Sequence, residues 1–224
     1  SMISQYMLDE IQVVKVGTPD LEADALGGTV NFKLKKAPLG LHGNLITQNI
    51  YNDLERVNED YKVVLGLSNR FYGNKFGILA DLDREKRNRG SHNIYANYTN
   101  RPAHLNTINP LRFTNLSLRH NIRLNSRLNS LIVLDYKLKN GFLSYSSLAS
   151  SITKNVNVYT NSYVLDGDRA VQYRTGDKQN TIRIVNEIWK VEKGITENFK
   201  IDLFNTFSVS ATGDTSKAFD FILD

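Results

Sequence analysis

The chain has 224 residues, of which 41% are hydrophobic and 23% charged, so its composition argues against disorder and allows a sizeable core. No apolar run approaches the roughly 20 residues that a membrane-spanning helix needs, and the absence of cysteine excludes disulfides, a thiol nucleophile and thiolate metal ligands. The net charge of +5 comes from lysines and arginines scattered along the chain, which is typical of a solvated surface.

The first predicted elements are two short strands on either side of a polar loop. They cover residues 11–16 and 29–34, and both are rich in valine and other strand-forming residues. Pro19 and the Gly27-Gly28 pair mark turns between them, because glycine takes backbone angles that other residues resist. The segment therefore predicts a small pair of strands.

From about residue 40 onward, apolar and polar residues alternate with a period of two, which indicates strands rather than helices. The clearest stretch is 114–124. Its apolar face carries Leu116, Leu118, Ile122 and Leu124, and its polar face carries Asn115, Ser117, Arg119, Asn121 and Arg123. Further strands are predicted at 61–68, 75–82, 128–138, 142–149, 155–165, 179–191 and 197–209. The sequence therefore predicts an all-β protein.

The predicted connections between these strands are of two kinds. Tight turns are predicted at 72–74, 125–126 and 140–141, where glycine or asparagine suits a hairpin. Long polar loops are predicted at 52–58, 84–93 and 99–110. Short turns on one side and long loops on the other are typical of outer-membrane barrels. A soluble antiparallel sandwich has a similar alternation, so the pattern leaves both interpretations open.

The polarity of the faces bears on the same choice. Arg119 and Arg123 are expected to face a polar lumen while the leucines of the same strand meet lipid. His120 and Asn186 fall on the otherwise apolar faces of their strands. These two residues fit a soluble sheet better, unless they lie near a membrane interface where the cost of a polar group is small.

One motif is more specific than the alternation. Residues 11–32 read IQVVKVGTPDLEADALGGTVNF. They resemble the end of the plug domain of TonB-dependent outer-membrane receptors, in which a strand of the type IEVxK leads through TPDxxADAxGG into TVN. The one departure is Gln12, where the family usually has glutamate. Residues 71–77 also resemble the first periplasmic turn of such barrels, whereas the remaining strands match only in their alternation.

The resemblance implies that residues 1–37 end a plug domain and that residues 38–224 begin a transmembrane β-barrel of antiparallel up-and-down strands. Family barrels have about 22 strands. At roughly 20 residues per strand and connector, residues 38–224 hold about nine of them. Ser1-Met2 is interpreted as a cleavage scar ahead of an internal fragment, and the alternation runs to Asp224 without a stop. Because a partial barrel leaves two unpaired edges, we expect no transport by this chain alone.

The resemblance also implies a function. The parent protein is expected in the bacterial outer membrane, where it takes up a large scarce nutrient such as a siderophore, cobalamin or a glycan. Its expected partners are the TonB complex, whose contact segment is absent here, the nutrient and outer-membrane lipid, with no nucleic acid and no cofactor. No enzymatic activity is expected. The alternative is a soluble all-β ligand-binding module, with carbohydrate as a candidate ligand.

The candidate site residues fall into two groups. The motif residues with a structural role are Pro19, Gly27, Gly28 and Asn31, since the glycines allow a tight reversal and Asn31 suits bonding to neighbouring backbone. The candidate ligand-binding residues are Asp20, Glu22, Asp24, Arg119 and Arg123. The three acidic residues have a structural interpretation as well, and Ca²⁺ is a third possibility because it prefers carboxylate oxygens.

No catalytic or metal site is predicted. Asp81, Asp83 and Glu85 alternate like a carboxylate pair for hydrolysis, but the cations around them favour a mixed-charge loop. The histidines are dispersed without metal-ligand spacing, which favours surface or lumen roles. They are His42, His92, His104 and His120.

Overall fold

The computed structural model describes residues 4–14, 29–100, 111–165, 170–196 and 199–223. These residues form ten strands, preceded by a 3-10 helix at Gln5–Met7. The strands are β1 (Leu8–Val14), β2 (Thr29–Leu34), β3 (His42–Asn52), β4 (Val57–Phe71), β5 (Phe76–Asn88), β6 (Ser91–Asn100), β7 (Leu111–Leu138), β8 (Gly141–Val164), β9 (Ala170–Thr196) and β10 (Phe199–Leu223). Within the described residues, no helix is long and apolar enough to cross a membrane.

The first two strands form a small sheet of their own. β1 pairs antiparallel with β2, so that Ile11 lies opposite Phe32 and Gln12 opposite Asn31. Strands were predicted at 11–16 and 29–34, and both are present, although β1 begins earlier, at Leu8. The predicted turn residues Pro19, Gly27 and Gly28 lie outside the described residues.

The other eight strands form one antiparallel sheet, which confirms the all-β prediction. Their order is β10-β9-β8-β7-β5-β4-β3, and β6 also pairs with β7. β5 pairs with β7 between Leu124 and Tyr136, and β6 pairs with it between Leu111 and Asn121. In the described part of the chain β3 and β10 end the strand order, and β6 pairs on one side only, so the sheet does not close on itself.

Two of the predicted tight turns are present. The turn after β4 places Tyr72, Gly73 and Asn74 at positive φ of 53°, 64° and 66°, the left-handed region that the Gly and Asn of the sequence suggest. The hairpin between β7 and β8 pairs Leu138 with Gly141. Its two-residue loop is therefore 139–140, one residue earlier than predicted.

Two other predictions about connections are wrong. Residues 125–126 do not turn, because they lie inside β7, a single strand of 28 residues. The stretch 84–93 is not a long loop either, since β5 runs to Asn88 and β6 begins at Ser91. The predicted strands 142–149 and 155–165 are likewise parts of one strand, β8. Most of the predicted loop 99–110 lies outside the described residues, and the loop at 52–58 is a short turn at 53–56.

The two faces of the large sheet differ in the parts of the chain that pack against them. One face, here called the covered face, contacts the described N-terminal residues 4–14 and 29–37, here called the N-terminal segment. Met7 of that segment is fully buried and packs in a cluster with residues of β5, β7 and β8, namely Leu79, Leu131, Val133 and Leu148. The Nε of Arg70 donates to the backbone oxygen of Ala37 over 2.8 Å, and the Ser4 hydroxyl donates to Asp83. Apolar packing and hydrogen bonds together hold the segment against the sheet.

The opposite face, here called the open face, has no second layer of strands or helices against it in the described chain. It carries alternate residues of each strand, such as Leu128, Ile132 and Tyr136 of β7, which are 42%, 46% and 39% exposed. On β4 the open face carries Val63, Leu65 and Leu67. A soluble protein leaves few contiguous apolar side chains in water. The open face is therefore the apolar face of a sheet that has one layer.

Candidate functional site

The covered face is polar where a soluble core would be apolar. Among the described residues, eleven buried residues are polar or charged and eight are hydrophobic. Charged side chains are seldom fully buried unless they are paired. Here the Arg70 guanidinium forms two hydrogen bonds with the Asp135 carboxylate, at 2.7 and 2.9 Å. The Nζ of Lys62 lies 3.4 Å from Asp83 and 3.2 Å from Glu85.

The acidic trio of β5 belongs to this network. Asp81, Asp83 and Glu85 were predicted in a mixed-charge loop, which is wrong, because they are alternate residues of β5 and face the covered side. Asp81 and Asp83 are buried, Asp83 beside Lys62 and Ser4, and Glu85 is half-buried beside Lys62. One carboxylate oxygen of Asp81 and one of Asp83 have no hydrogen-bond partner among the described residues. Asp81, Asp83 and Glu85 alternate in the sequence because successive side chains of a strand point to opposite faces.

Arg119 and Arg123 lie on the same face of β7 as Asn129 and Asp135, since β7 pairs with β8 without a register shift. They stand beyond the N-terminal segment, toward the start of the strand. The Arg119 guanidinium lies 5.1 Å from the centre of the Tyr95 ring, a distance suited to a cation–π contact. The structure thus brings both arginines to the polar face, as their alternation in the sequence predicts.

A third arginine continues this row. Arg127 follows Arg123 after four residues, and its buried Nε has no hydrogen-bond acceptor among the described residues. It lines a cavity of about 460 Å³ together with Arg87, Lys154 and Glu85. Lysine and arginine outnumber the carboxylates here, so the cavity favours an anionic group. The sequence analysis missed Arg87, Arg127 and Lys154, because their meeting depends on the pairing of β5, β7 and β8.

The row ends at a second cavity of about 460 Å³, which Arg119, Thr160, Arg174 and Asp220 line. Arg174 of β9 donates two hydrogen bonds to Asp220 of β10, at 2.7 and 3.0 Å. Hydrogen bonds from this guanidinium hold the pKa of the Asp220 carboxyl below its ordinary value. On β1, a hydrogen bond from Lys33 likewise lowers the pKa of Glu10. Both carboxylates are therefore ionised at neutral pH.

Asn186 and His120, the two polar residues on predicted apolar faces, lie on different faces of the sheet. Asn186 is on the covered face, because it pairs with the buried Leu148 and accepts a hydrogen bond from Ser208. Ile182, Ile184 and Ile188 lie on the same face as Asn186, so the alternation suggested that this covered face was the apolar, outward one. The open face of β9 instead carries Glu187, which lies opposite Ser147 and Phe207.

His120 does lie on the open face, and it has partners there. It pairs across the strands with His92 of β6, and its Nε2 lies 3.1 Å from the Glu55 carboxylate. The fold thus brings together two histidines that are 28 residues apart in the sequence. His104 lies outside the described residues, and so do the predicted ligand residues Asp20, Glu22 and Asp24.

Comparison with known proteins gives no further assignment. The sequence matches no protein-family model, and no curated protein matches it significantly. The functional interpretation therefore depends on the motif at 11–32 and on the two faces of the sheet.

Proposed function

We propose that this chain is part of a TonB-dependent outer-membrane transporter, in which β3–β10 belong to the barrel wall and residues 4–37 to the plug in its lumen. The observation that carries the proposal is the polarity of the two faces of the large sheet. Compared with a soluble protein they are reversed, since the covered face is polar and the open face is apolar. Barrels of this kind alternate apolar residues toward lipid with polar residues toward the lumen. On β4, β5 and β7 the open face has the first composition and the covered face has the second. β9 departs from this pattern, with Ile182, Ile184 and Ile188 on its covered face and Glu187 on its open face.

The extent of the apolar surface fits a bilayer. On β7 the open-face residues from Leu128 to Leu138 are apolar except Ser130, and this length is close to the roughly 9–11 residues that a tilted strand needs to cross. The same rows of the sheet include Leu65 and Leu67 of β4 and Phe207 and Val209 of β10. We call this surface the apolar band. Beyond Ser126 the same face of β7 carries further apolar residues, interrupted by His120, namely Leu116, Leu118, Ile122 and Leu124. Beyond the band β7 continues for 17 residues to Leu111, a length that in the proposal projects past the membrane on the side of the long loops.

The position of the N-terminal segment supports the plug assignment. Within its described residues, Met7, Ser4 and Ala37 contact the polar face of the sheet. A segment that merely shielded apolar surface from water would gain more by packing on the open face, where large hydrophobic side chains are exposed. Its packing on the polar face supports a lumen that is filled by the N-terminal part of the chain.

The charge of the covered face bears on the ligand. Beyond the N-terminal segment, the row Arg119, Arg123 and Arg127 lines the side of the sheet that would face the pore. An unpaired buried guanidinium N–H at Arg127 is costly unless an acceptor arrives. Within the range of large scarce nutrients that the motif implies, the row favours one that carries carboxylate or other anionic groups.

The alternative, a soluble all-β module, requires a second layer on the open face. Burying the open-face leucines and phenylalanines would be strongly favourable in water, at about 25 cal/mol for each Å². Two observations are the strongest in its favour: Glu187 within the apolar band, and the unpaired edges β3 and β10. In the transporter proposal further strands pair with both edges.

The test is to sequence the parent gene on both sides of this segment and to fractionate cells that express its complete product. We expect an upstream remainder of the plug, further barrel strands downstream, and a product that is found in the outer membrane and needs detergent for extraction. A gene product that is monodisperse in water without detergent and unfolds cooperatively would overturn the proposal in favour of the soluble module.

A further inference from the structure

Three side chains from three separate segments converge at the open face. Glu55 lies in the turn between β3 and β4, His92 on β6 and His120 on β7. The Nε2 atoms of His120 and His92 lie 3.1 and 3.6 Å from the same oxygen, Oε1 of Glu55. One potential ligand atom from each of the three residues lies within 4.8 Å of the other two.

The fold holds each of these groups in place. His92 and His120 are direct cross-strand partners, and their ring centres are 4.4 Å apart. The backbone N–H of Glu55 donates to the Asn52 side chain over 3.3 Å. The amide group of Asn52 donates in turn to the backbone oxygen of Asn88, also over 3.3 Å. These bonds tie the β3–β4 turn to the end of β5, next to the two histidines.

Gly90 is also part of this arrangement. A side-chain carbon at this position would lie 2.5 Å from Oε1 of Glu55, closer than such atoms approach. The glycine thus leaves the space into which the carboxylate reaches toward the histidines. At 14% exposure, the Glu55 side chain is largely shielded from water, whereas the His92 side chain is 56% exposed and leaves the cluster accessible.

We propose that Glu55, His92 and His120 form a binding site for a divalent transition-metal ion. Zinc is bound by imidazole nitrogens at about 2.0–2.1 Å and by carboxylate oxygens at about 2.0–2.2 Å, so ligands of a tetrahedral ion lie roughly 3.3–3.5 Å apart. The two nitrogen–oxygen distances lie on either side of that value. Two imidazoles with one carboxylate suit Zn²⁺, Ni²⁺ or Cu²⁺ and not Ca²⁺ or Mg²⁺, which prefer oxygen ligands.

The site has three protein ligands, so a fourth position is open to water or to a donor group of another molecule. On β7, His120 lies eight residues from Leu128, where the apolar band begins. That spacing puts the site roughly 20 Å from the band for a strand tilted at 35–45° with a rise of about 3.3 Å per residue. The proposal depends only on the three side chains and holds for a soluble module as well.

The experiment is a Zn²⁺ titration of the purified protein in competition with a chromophoric chelator, after the removal of bound metal. We expect one Zn²⁺ per chain, with at least tenfold weaker binding in His92→Ala, His120→Ala and Glu55→Gln. His42→Ala is the matched control, since His42 is an exposed histidine of β3 whose ring forms a hydrogen bond with the Gly40 backbone oxygen; the affinity of this variant should be unchanged. Zn²⁺ binding that survives in all three variants, or no binding by the wild-type protein, overturns the proposal.

A second pair of variants separates the site from general damage to the fold. Gly90→Ala removes no ligand but displaces the Glu55 carboxylate, so we expect roughly tenfold weaker Zn²⁺ binding, as for other changes to groups that orient a metal ligand. Gly213→Ala on β10 meets nothing within 4 Å and serves as its control. Equal affinities of Gly90→Ala and Gly213→Ala would contradict the proposed geometry. Co²⁺ supplies an independent readout, because visible absorption typical of four-coordinate cobalt should be present in the wild-type protein and lost in His120→Ala.

Discussion

Alternate residues of one strand, β7, have opposite surroundings. Asn129 and Asp135 are buried on the covered face beside polar partners, while Leu128 and Ile132 on the open face are exposed. In a soluble domain the two sets would change places, because burial favours apolar groups. The difference teaches that the packing of this chain alone does not explain its alternation. In the proposed transporter the medium on each side of the sheet explains it, and the following substitutions test that explanation.

The largest effect is expected on the covered face, from Arg70→Ala. Arg70 bonds to Asp135 and to the backbone of Ala37 and Asn74, and its side chain is 6% exposed. Removing one partner leaves a buried charge without compensation, which costs about 3–5 kcal/mol. We expect that loss in the free energy of unfolding of the complete gene product, measured by urea titration in lipid vesicles.

The matched control for Arg70→Ala is Lys33→Ala. Lys33 pairs with Glu10 over 2.8 Å, but both side chains are about half exposed. Exposed pairs contribute about 0–1 kcal/mol because water screens them. If the two substitutions cost the same, the covered face is open to water and does not hold its charges in a buried network.

The next effect is expected on the open face, from Leu65→Arg. Leu65 is 42% exposed and lies in the apolar band. An arginine there would cost about 2–4 kcal/mol if the band faces the middle of a bilayer. In a soluble protein the same change at an exposed site would usually stay within about 0.5 kcal/mol. Refolding of the variant into vesicles and urea titration measure which of the two holds.

Ile94→Arg is the control for Leu65→Arg. Ile94 of β6 is 74% exposed on the open face, next to the His92–His120 region and outside the apolar band. We expect a change of no more than about 0.5 kcal/mol there. Equal small effects at Leu65 and Ile94 would count against lipid at the band.

The sequence predicts the strands well because a period of two needs no tertiary information. It fails where polarity was taken as a sign of a loop. Asn125 and Ser126 look like a turn, and 84–93 looks like a charged loop, yet both lie in or along strands. On a sheet whose covered face is polar, asparagine and arginine are ordinary strand residues. Composition alone therefore cannot separate a polar strand from a connection.

The candidate site residues also divide into those that alternation places and those that only the tertiary structure brings together. Arg119 and Arg123 could be placed on the polar face from alternation alone. The cluster of Glu55, His92 and His120 could not, because it depends on the register of β6 against β7 and on the direction of the β3–β4 turn. For β9 the alternation even pointed to the wrong face, since isoleucines at 182, 184 and 188 line the covered side.

The smallest effect, and the one of opposite sign, is expected from Glu187→Leu. Glu187 is on the open face of β9 in the row of Ile132 and Phe207, so it is the one carboxylate that the described sheet places within that row of the apolar band. An acidic residue facing lipid costs less than the 2–4 kcal/mol of arginine, so its replacement should stabilise the protein by about 1 kcal/mol in vesicles. Asp177→Leu is the control, because Asp177 has the same strand and face but lies ten residues away, opposite Asn157 and Lys217. We expect no gain there. A loss of stability in Glu187→Leu would mean that the carboxylate has a polar partner on the open face, and the open face of β9 would then meet water or protein instead of lipid.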